Sequence, residues 1–312
     1  MPHPAFASPV ARPVRTSTTG RPGPRPGPTP ALRESRSAQH EGEPVSVAAS
    51  LSNALLMPAA APEPVRSLRV LTVNTHKGFA AMKRRLILSE LREAVRGVGA
   101  DVVFLQEVQG SHAGHSARFE AWPAAPHYEF LADQIWPEFA YGRNAVYTEG
   151  HHGNAVLSKF PITHFANHDV SVDGHEARGL LHCALHVPGQ PHGVHAVCVH
   201  LGLTESHRRH QLDALCALIR NHVPATAMLL VAGDFNDWRR RAHAVLERCV
   251  GLREVFVQAH GSAAKTFPAR WPMLQLDRIY VRNARVHAPM LLPRRPWSRL
   301  SDHAPLAAEI GL

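Results

Sequence analysis

Polar side chains that bind hard cations or carry protons follow several apolar segments of this chain, at the points where those segments end. In chain order they are Asn74, Glu107, His200, Asp234, Asn236, Asp277, Asp302 and His303. The ends of strands lie at the rim of a sheet, where a polar side chain reaches a cleft without leaving an unpaired charge in the core. One such residue is ordinary, but this set predicts a site that combines a divalent cation with proton transfer.

The apolar segments that position these residues have the lengths and periods of short strands and helices. Apolar residues spaced by three and four between Ile87 and Val98 predict a helix that stops at Gly99. A second helix is predicted after Thr204, its N-cap. Strands are predicted at 68–73, 101–105, 128–132, 155–158, 180–187, 194–200, 228–232, 276–281 and 305–310. This mixture favours an α/β domain with helices covering packed sheets.

The N-terminal segment differs in composition from the rest of the chain. Half of the 26 prolines lie before Val65, and the segment shows no apolar periodicity. Such a segment buries too little apolar surface to offset the entropy of ordering it. We interpret residues 1–65 as a disordered Pro/Gly/Arg-rich tail, or as the product of a misassigned start codon, and residues 66–312 as the folded domain. We find neither a secretory signal nor an apolar stretch long enough to be a transmembrane segment.

The formal net charge of +9 suits an anionic partner, such as nucleic acid, a phosphorylated metabolite or an acidic membrane surface. No glycine-rich phosphate loop is present, which argues against nucleotide-cradling folds. The four cysteines, which lack C-x-x-C spacing, are Cys183, Cys198, Cys216 and Cys249. We interpret them as small buried apolar residues in a reducing compartment, and we expect a cytoplasmic monomer.

Seven short motifs give the chain a specific family resemblance. They are Thr72-Val-Asn-Thr-His76, Leu105-Gln-Glu-Val108, Gly153-Asn-Ala-Val-Leu-Ser158, Val199-His-Leu201, Gly233-Asp-Phe-Asn-Asp237, Leu276-Asp-Arg-Ile279 and Ser301-Asp-His303. In this order they resemble the motifs of the endonuclease/exonuclease/phosphatase superfamily, and most closely its bacterial YbhP-like branch. Each motif alone is weak, but seven in the family's order make a strong resemblance that covers residues 66–312.

This resemblance implies a four-layer α-β-β-α sandwich, in which two packed mixed β-sheets are flanked by helices and a cleft runs along one edge. It also implies a Mg²⁺ ion, with Mn²⁺ as an alternative, bound mainly by Glu107. Asn74 would assist through its amide oxygen and Asp302 through a further carboxylate. The chemistry of these side chains agrees with this assignment, because hard divalent cations prefer oxygen ligands.

The resemblance further implies a hydrolase of phosphodiester or phosphomonoester bonds, which requires an activated water and positive charge around the phosphate oxygens. Asp234 is similar to the family's water-orienting base, with Asn236 beside it. His303 resembles the proton carrier, and Asp277 would accept its other ring N–H. The phosphate contacts are assigned to His200, Asn154 and Arg178.

Several alternatives remain open at this level. The substrate is nucleic acid, a phospholipid or phosphoinositide headgroup, or a nucleotide-like metabolite. Weak similarity to proteins of GPI-anchor remodelling supports the lipid, and the loop with Arg270 and Trp271 supports DNA. A catalytically inactive phosphate-binding or interaction module is the alternative from another functional class.

Other conspicuous residues have simpler interpretations. The segment His207–His210 is rich in histidine and arginine, but zinc sites need three or four ligands at set spacings. We therefore expect a solvated helix face there. Tyr147 and Trp238 are expected to pack in the core rather than stack on a substrate ring.

Overall fold

The computed structural model describes residues 63–80, 85–172 and 176–312. Nearly all of the predicted tail therefore lies outside the described residues. The strands are β1 Ser67–Asn74, β2 Val102–His112, β3 Glu138–Tyr147, β4 Gly150–Ser158, β5 Ile162–Asp169, β6 Gly179–Leu185, β7 Val194–His200, β8 Met228–Asp234, β9 Arg253–Glu254, β10 Asp277–Arg282, β11 Arg285–Leu291 and β12 Leu306–Gly311. The helices are α1 Leu88–Val98, α2 Ala113–Arg118, α3 His127–Ala132, α4 Glu205–His222, α5 Ala242–Val250, α6 Val255–His260 and α7 Arg294–Trp297, and a 3-10 turn spans His76–Gly78.

The strands form two six-stranded sheets. The strand order is β11-β12-β1-β2-β4-β3 in the first sheet and β5-β6-β7-β8-β10-β9 in the second. Both sheets are mixed, because β1 pairs with β2 and β7 with β8 in parallel, while the other pairs are antiparallel. Predicted site residues lie at the ends of both parallel pairs: β1 ends at Asn74, β7 at His200 and β8 at Asp234.

Residue alternation along the strands creates the layers. In β1, Leu68 and Val70 point into the core between the sheets, where they join Leu181 and Leu230 of the second sheet. Val73 points to the opposite face and packs with the residues of α1. On the outer face of the second sheet, α4 and α5 cover a third apolar cluster. The predicted four-layer α-β-β-α sandwich is thereby confirmed, since side chains in successive strand positions face opposite sides.

Most predicted elements are confirmed, but one is wrong. Residues 128–132, predicted as a strand, lie in α3. Tyr128 and Leu131, three positions apart, pack on the same side against the first sheet, so the helical period decides the structure of this short segment. The strands β3, β5 and β11 and the helix α6 were not predicted, because their apolar residues are too few or too irregularly spaced. The helix α5 was not predicted either, although Ala242, Leu246 and Val250 share one buried face.

The cysteines differ from the prediction in one respect. Cys183 and Cys198 are buried free thiols, as expected. Cys216 on α4 and Cys249 on α5 are instead joined as a disulfide. Two of the four cysteines, Cys183 and Cys198, therefore fit the expected reducing compartment, and the disulfide pair does not.

No helix within the described part of the chain has both the length and the apolar content required to cross a membrane.

Gly233, immediately before Asp234, lies where β8 approaches β7 too closely for any other residue. Its φ is 147°, and a Cβ there would lie 2.0 Å from the carbonyl oxygen of Val199. We expect Gly233→Ala to lower the free energy of unfolding by about 3 kcal/mol, because the backbone must shift. The control is Gly251→Ala, with φ of 68° and no atom within 4 Å of the added Cβ; about 1 kcal/mol is expected there. Equal losses in urea denaturation would contradict this account.

Candidate active site

Strand register brings the predicted catalytic residues together at one edge of the sandwich. Asp234, the last residue of β8, pairs with His200 across the parallel β7 and with Asp277 across the antiparallel β10. At the end of β1, Asn74 pairs with Gln106, which places Glu107 one residue further along β2. The two sheets meet where Asn74 Nδ2 donates a hydrogen bond of 3.3 Å to Asp234 Oδ2.

Asp234 is the centre of this arrangement. Its Oδ1 accepts a hydrogen bond of 2.9 Å from the backbone N–H of Asn236, which has φ of 48°. Its Oδ2 lies 3.6 Å from His200 Nε2 and 3.8 Å from His303 Nε2. Burial, with help from the negative charges of Asp277 and Glu107, raises the pKa of Asp234 to about 6. The carboxylate is therefore ionised at neutral pH and basic enough to accept a proton.

His303 lies between two carboxylates. Its Nδ1 is 2.8 Å from Asp277 Oδ2, and its Nε2 faces Asp234. Burial lowers its pKa, but the charges of Asp277 and Asp234 outweigh this effect and raise the pKa to about 10. Potential ligand atoms of Asp234, Asp277 and His303 lie within 4.8 Å of one another, as they would around a metal. A protonated imidazole cannot bind a cation, however. We therefore interpret these three residues as an ion network, in which the two carboxylates hold a proton on the imidazole of His303.

A cavity of about 390 Å³ opens beside this network. Its polar lining comprises Glu107, Arg178, His200, Asp234, Asn236 and His303. Glu107 occupies a β-bulge and has φ of 56°, and this conformation interrupts the pairing of β2 with β4. Its side chain is only partly buried, and Lys77 Nζ lies 3.9 Å from its Oε2. The carboxylate of Glu107 in the lining of this cavity is the kind of oxygen donor that fits a hard divalent cation.

The two other predicted metal ligands lie beside this cavity rather than in its lining. Asn74 Oδ1 accepts the backbone N–H of His76 at 3.0 Å. Asp302 Oδ1 lies 2.8 Å from His76 Nδ1. Burial would raise the pKa of Asp302, but the hydrogen bond with His76 and the charge of His303 lower it. His76 thus connects the two residues, and their coordination of a metal stays a prediction.

The predicted phosphate contacts differ in position. His200 and Arg178 line the cavity. The pKa of His200 is well below the ordinary value of 6.5, first because of burial and then because of Arg178, so its ring is neutral. Asn154 does not line the cavity; its Nδ2 donates to the carbonyl oxygen of Gly179 at 3.0 Å and ties β4 to β6. Its contact with a phosphate stays a prediction.

Several residues around the cavity were not predicted from the sequence. Lys77 supplies a positive charge beside Glu107. The apolar rim consists of Leu203, Trp238, Phe267, Leu274 and Leu276. Trp238 is 52% exposed, so the expectation that it packs in the core is wrong, as it is for the exposed Tyr147. Lys77 could have been predicted, since it directly follows the motif that contains Asn74. The apolar rim residues could not, because apolar residues at the rim of a cavity resemble core residues in sequence.

In the segment 207–210, Arg209 and His210 are exposed as expected, but Arg208 is not. Arg208 is 3% exposed. Its guanidinium group donates to the carbonyl oxygens of Gly202 and Leu203 at 3.2 and 2.6 Å, and it pairs with Glu205 at 2.9 Å. The arginine therefore holds the loop that contributes Leu203 to the cavity rim.

The order of these motifs and their convergence at one sheet edge agree with comparisons to known proteins. A profile of the endonuclease/exonuclease/phosphatase family matches residues 71–303. The chain belongs to this family. The match includes all ten predicted site residues, from Asn74 to His303.

The chain is also similar in sequence to one known protein and in fold to several solved structures. Over 246 residues the chain is 58% identical to the uncharacterized protein YbhP of Escherichia coli K12, covering 79% of this chain and 97% of that protein. The fold is similar to that of an endonuclease/exonuclease/phosphatase from Beutenbergia cavernae, with a TM-score of 0.62 at 20% identity, covering 80% of this chain and 72% of the other. It is also similar to D. rerio TDP2 complexed with a single-strand DNA product, with a TM-score of 0.58 at 17% identity, covering 79% and 99%.

The ion network makes stability depend on pH. The pKa of His303 in the folded protein, about 10, lies above its ordinary value of 6.5. The pairing therefore stabilises the fold fully below pH 6.5, and this contribution is lost as pH rises through about 10. We expect Asp277→Asn to lower the free energy of unfolding at neutral pH, and the difference from the parent to shrink towards alkaline pH.

Urea denaturation of both proteins over a pH series measures this difference. The control is Asp213→Asn, because Asp213 lies exposed on α4. A difference between Asp277→Asn and the parent that stays constant with pH would show that His303 is not held protonated by this carboxylate.

Proposed function

We propose that the chain is a Mg²⁺-dependent hydrolase of phosphodiester or phosphomonoester bonds, with Mn²⁺ able to replace Mg²⁺. The observation that carries this proposal is the position of Asp234 Oδ2. This atom faces Asn74, His200 and His303 on the wall of a cavity that also contains Glu107 and Arg178. A base, a proton donor and positive charge are thus directed at one volume of about 390 Å³, and phosphoester hydrolysis requires all three.

Asp234 would orient the attacking water and accept one of its protons. Its orientation is fixed by the N–H of Asn236 and by the amide of Asn74. Asn236 Nδ2 donates to the carbonyl oxygen of Leu201 at 2.9 Å, which fixes the turn after β8. The geometry of the base is therefore set before substrate arrives, and such preorganisation lowers the barrier to reaction.

His303, as an imidazolium, would donate a hydrogen bond to a phosphate oxygen or to the leaving group. Asp277 keeps it charged and oriented through the 2.8 Å contact at Nδ1. Arg178 adds positive charge to the lining of the same cavity, where a guanidinium group is suited to phosphate oxygens. His200, which is neutral, would donate a hydrogen bond to phosphate without adding charge.

A divalent cation supplies Lewis-acid polarisation of the phosphate when it is bound. Glu107 would hold it, with Asn74 and Asp302 as assisting ligands. Lys77 lies near Glu107 and would compensate the carboxylate before the cation binds.

The alternative function is a catalytically inactive phosphate-binding module. The Asp234 network favours catalysis over binding alone, because paired groups with shifted pKa values beside a cavity are typical of catalytic sites. Nucleic acid remains a candidate substrate in view of the TDP2 complex with DNA product, beside a lipid headgroup and a nucleotide-like metabolite. A cytoplasmic location and a monomeric state stay predictions.

Hydrolysis of bis-p-nitrophenyl phosphate tests the proposed function. We expect activity that EDTA abolishes and Mg²⁺ restores, and we expect Asp234→Ala to lower kcat by about a thousandfold or more, because the base is lost. Asp213→Ala, on the exposed face of α4, is the control and should match the parent. Equal turnover by Asp234→Ala and the parent would overturn the mechanism, and an inert parent would revive the binding module.

Metal binding is measured separately through the electron paramagnetic resonance signal of free Mn²⁺. We expect Glu107→Gln to weaken Mn²⁺ binding by about tenfold or more, because a neutral amide replaces the principal carboxylate ligand. Glu129→Gln is the matched control, since Glu129 is exposed on α3. Unchanged affinity in Glu107→Gln would move the metal to other ligands and leave the role of Asp234 intact.

A further inference from the structure

A second cavity, of about 250 Å³, lies in the C-terminal part of the chain. It is lined by Arg270, Trp271, Arg294, Arg295, Ser298 and Arg299. None of these residues belongs to the catalytic network described above. We refer to this cavity as the arginine cavity.

Among the residues that the structure describes, the four guanidinium groups of the arginine cavity have no acidic partners. Within the described ranges 63–80, 85–172 and 176–312, no carboxylate oxygen lies within 4.0 Å of any of them. Four like charges around one small concave volume repel one another, and an anion between them would relieve this repulsion. Guanidinium groups donate paired hydrogen bonds in a geometry that matches phosphate oxygens.

One hairpin connects the arginine cavity with the catalytic cavity. Its base pairs Phe267 with Leu274, and both residues line the catalytic cavity, where the Phe267 ring lies 5.0 Å from the ring of His303. Its turn contributes Arg270 and Trp271 to the arginine cavity. A single molecule lying along this hairpin would therefore touch both cavities.

The walls of the arginine cavity are fixed to the catalytic loop. On the hairpin side, the N–H of Ala269 donates to the carbonyl oxygen of Asp302 at 2.7 Å. On the opposite side, the segment with Arg294 and Arg299 leads into Ser301, whose Oγ donates to the carbonyl oxygen of Asn74 at 2.7 Å. Because both walls are tied to residues of the catalytic site, the separation of the two cavities is set by the fold.

We infer that the arginine cavity binds a second phosphate group of the substrate, so that the preferred substrates are phosphoesters carrying at least two phosphates. This inference rests on the proposed function, because it assigns the first phosphate to the catalytic cavity. Trp271, which is 69% exposed, provides an apolar surface for the sugar, base or inositol ring attached to the second phosphate. A nucleic acid strand and a phosphorylated inositol headgroup share this chemistry.

Binding measurements in EDTA, where no hydrolysis is expected, test the inference with two matched pairs of probes. The first pair is thymidylyl-thymidine with and without a 5′-phosphate, and the second is glycerophosphoinositol with and without a 4-phosphate. Isothermal titration should show that the parent binds the two-phosphate member of at least one pair about tenfold more tightly. The pair that shows the preference identifies the source of the second phosphate.

The variant Arg294→Gln/Arg299→Gln removes two of the charges but keeps polar side chains of similar reach. We expect its affinity ratio within the preferred pair to fall to about one. The control variant is Arg209→Gln/Arg248→Gln, which removes two exposed arginines from α4 and α5 and should retain the parent's ratio. Arg270→Gln alone, on the hairpin, should lower the ratio partially and serves as the test if the double variant does not fold.

Two outcomes overturn the inference: a parent that binds both members of each pair equally, and a folded arginine variant that keeps the parent's preference. Turnover of bis-p-nitrophenyl phosphate, which has one phosphate, is measured in parallel with Mg²⁺. A parent that lacks this turnover contradicts the proposed function, whereas the affinity ratios still decide whether the arginine cavity binds a second phosphate.

Discussion

Two carboxylates face each other across antiparallel strands at the centre of the site, and the imidazolium between them allows both to be buried. The register of β8 and β10 places Asp234 opposite Asp277, and two such charges would repel strongly in a buried environment. His303 contacts one carboxylate at 2.8 Å and faces the other. The loop that carries His303 is held by Ser301, which bonds to the end of β1. The alignment of the two sheets at this edge therefore depends on the positive charge of His303 compensating the negative charges of Asp234 and Asp277.

The sequence predicts the fold well, and it predicts that the candidate site residues lie at strand ends, because short local patterns carry both kinds of information. Apolar runs such as 194–200 coincide with the strand β7, and Gly99 ends α1 in a left-handed conformation. The motifs carry the chemistry of Asp234 and His303 in their own residue types. Local patterns therefore suffice wherever one element both forms and presents the functional group.

Contacts across the chain are less accessible to sequence reasoning. The contact of His76 with Asp302 joins segments 226 residues apart, and no local pattern predicts it. The charged residues next to Arg208 in the sequence predict a solvated side chain. In the structure the side chain is buried, and it donates hydrogen bonds to the carbonyl oxygens of Gly202 and Leu203. Trp238 is of a residue type that usually packs in the core, but it is exposed and lines the cavity. These positions are decided by tertiary packing, which can override local preference.

Family membership and substrate choice depend on different parts of the molecule. The motifs along the strands supply the residues of the proposed reaction, while loops around a rigid scaffold determine what is bound. The hairpin 267–274 is such a loop, because its base touches the catalytic cavity and its turn touches the arginine cavity. A change in this hairpin would alter recognition without rebuilding the ion network.

The backbone conformations at the site have an evolutionary consequence. Among the described residues, four of the seven non-glycine residues with positive φ are His76, Lys77, Glu107 and Asn236, all at or beside the cavity. This conformation is unfavourable for residues with a Cβ, and glycine would adopt it more readily. Glycine at Glu107 or Asn236 would thus ease the backbone but remove the functional side chain. Selection for thermal robustness alone would favour glycine at these positions, whereas selection for the proposed activity would retain the side chains.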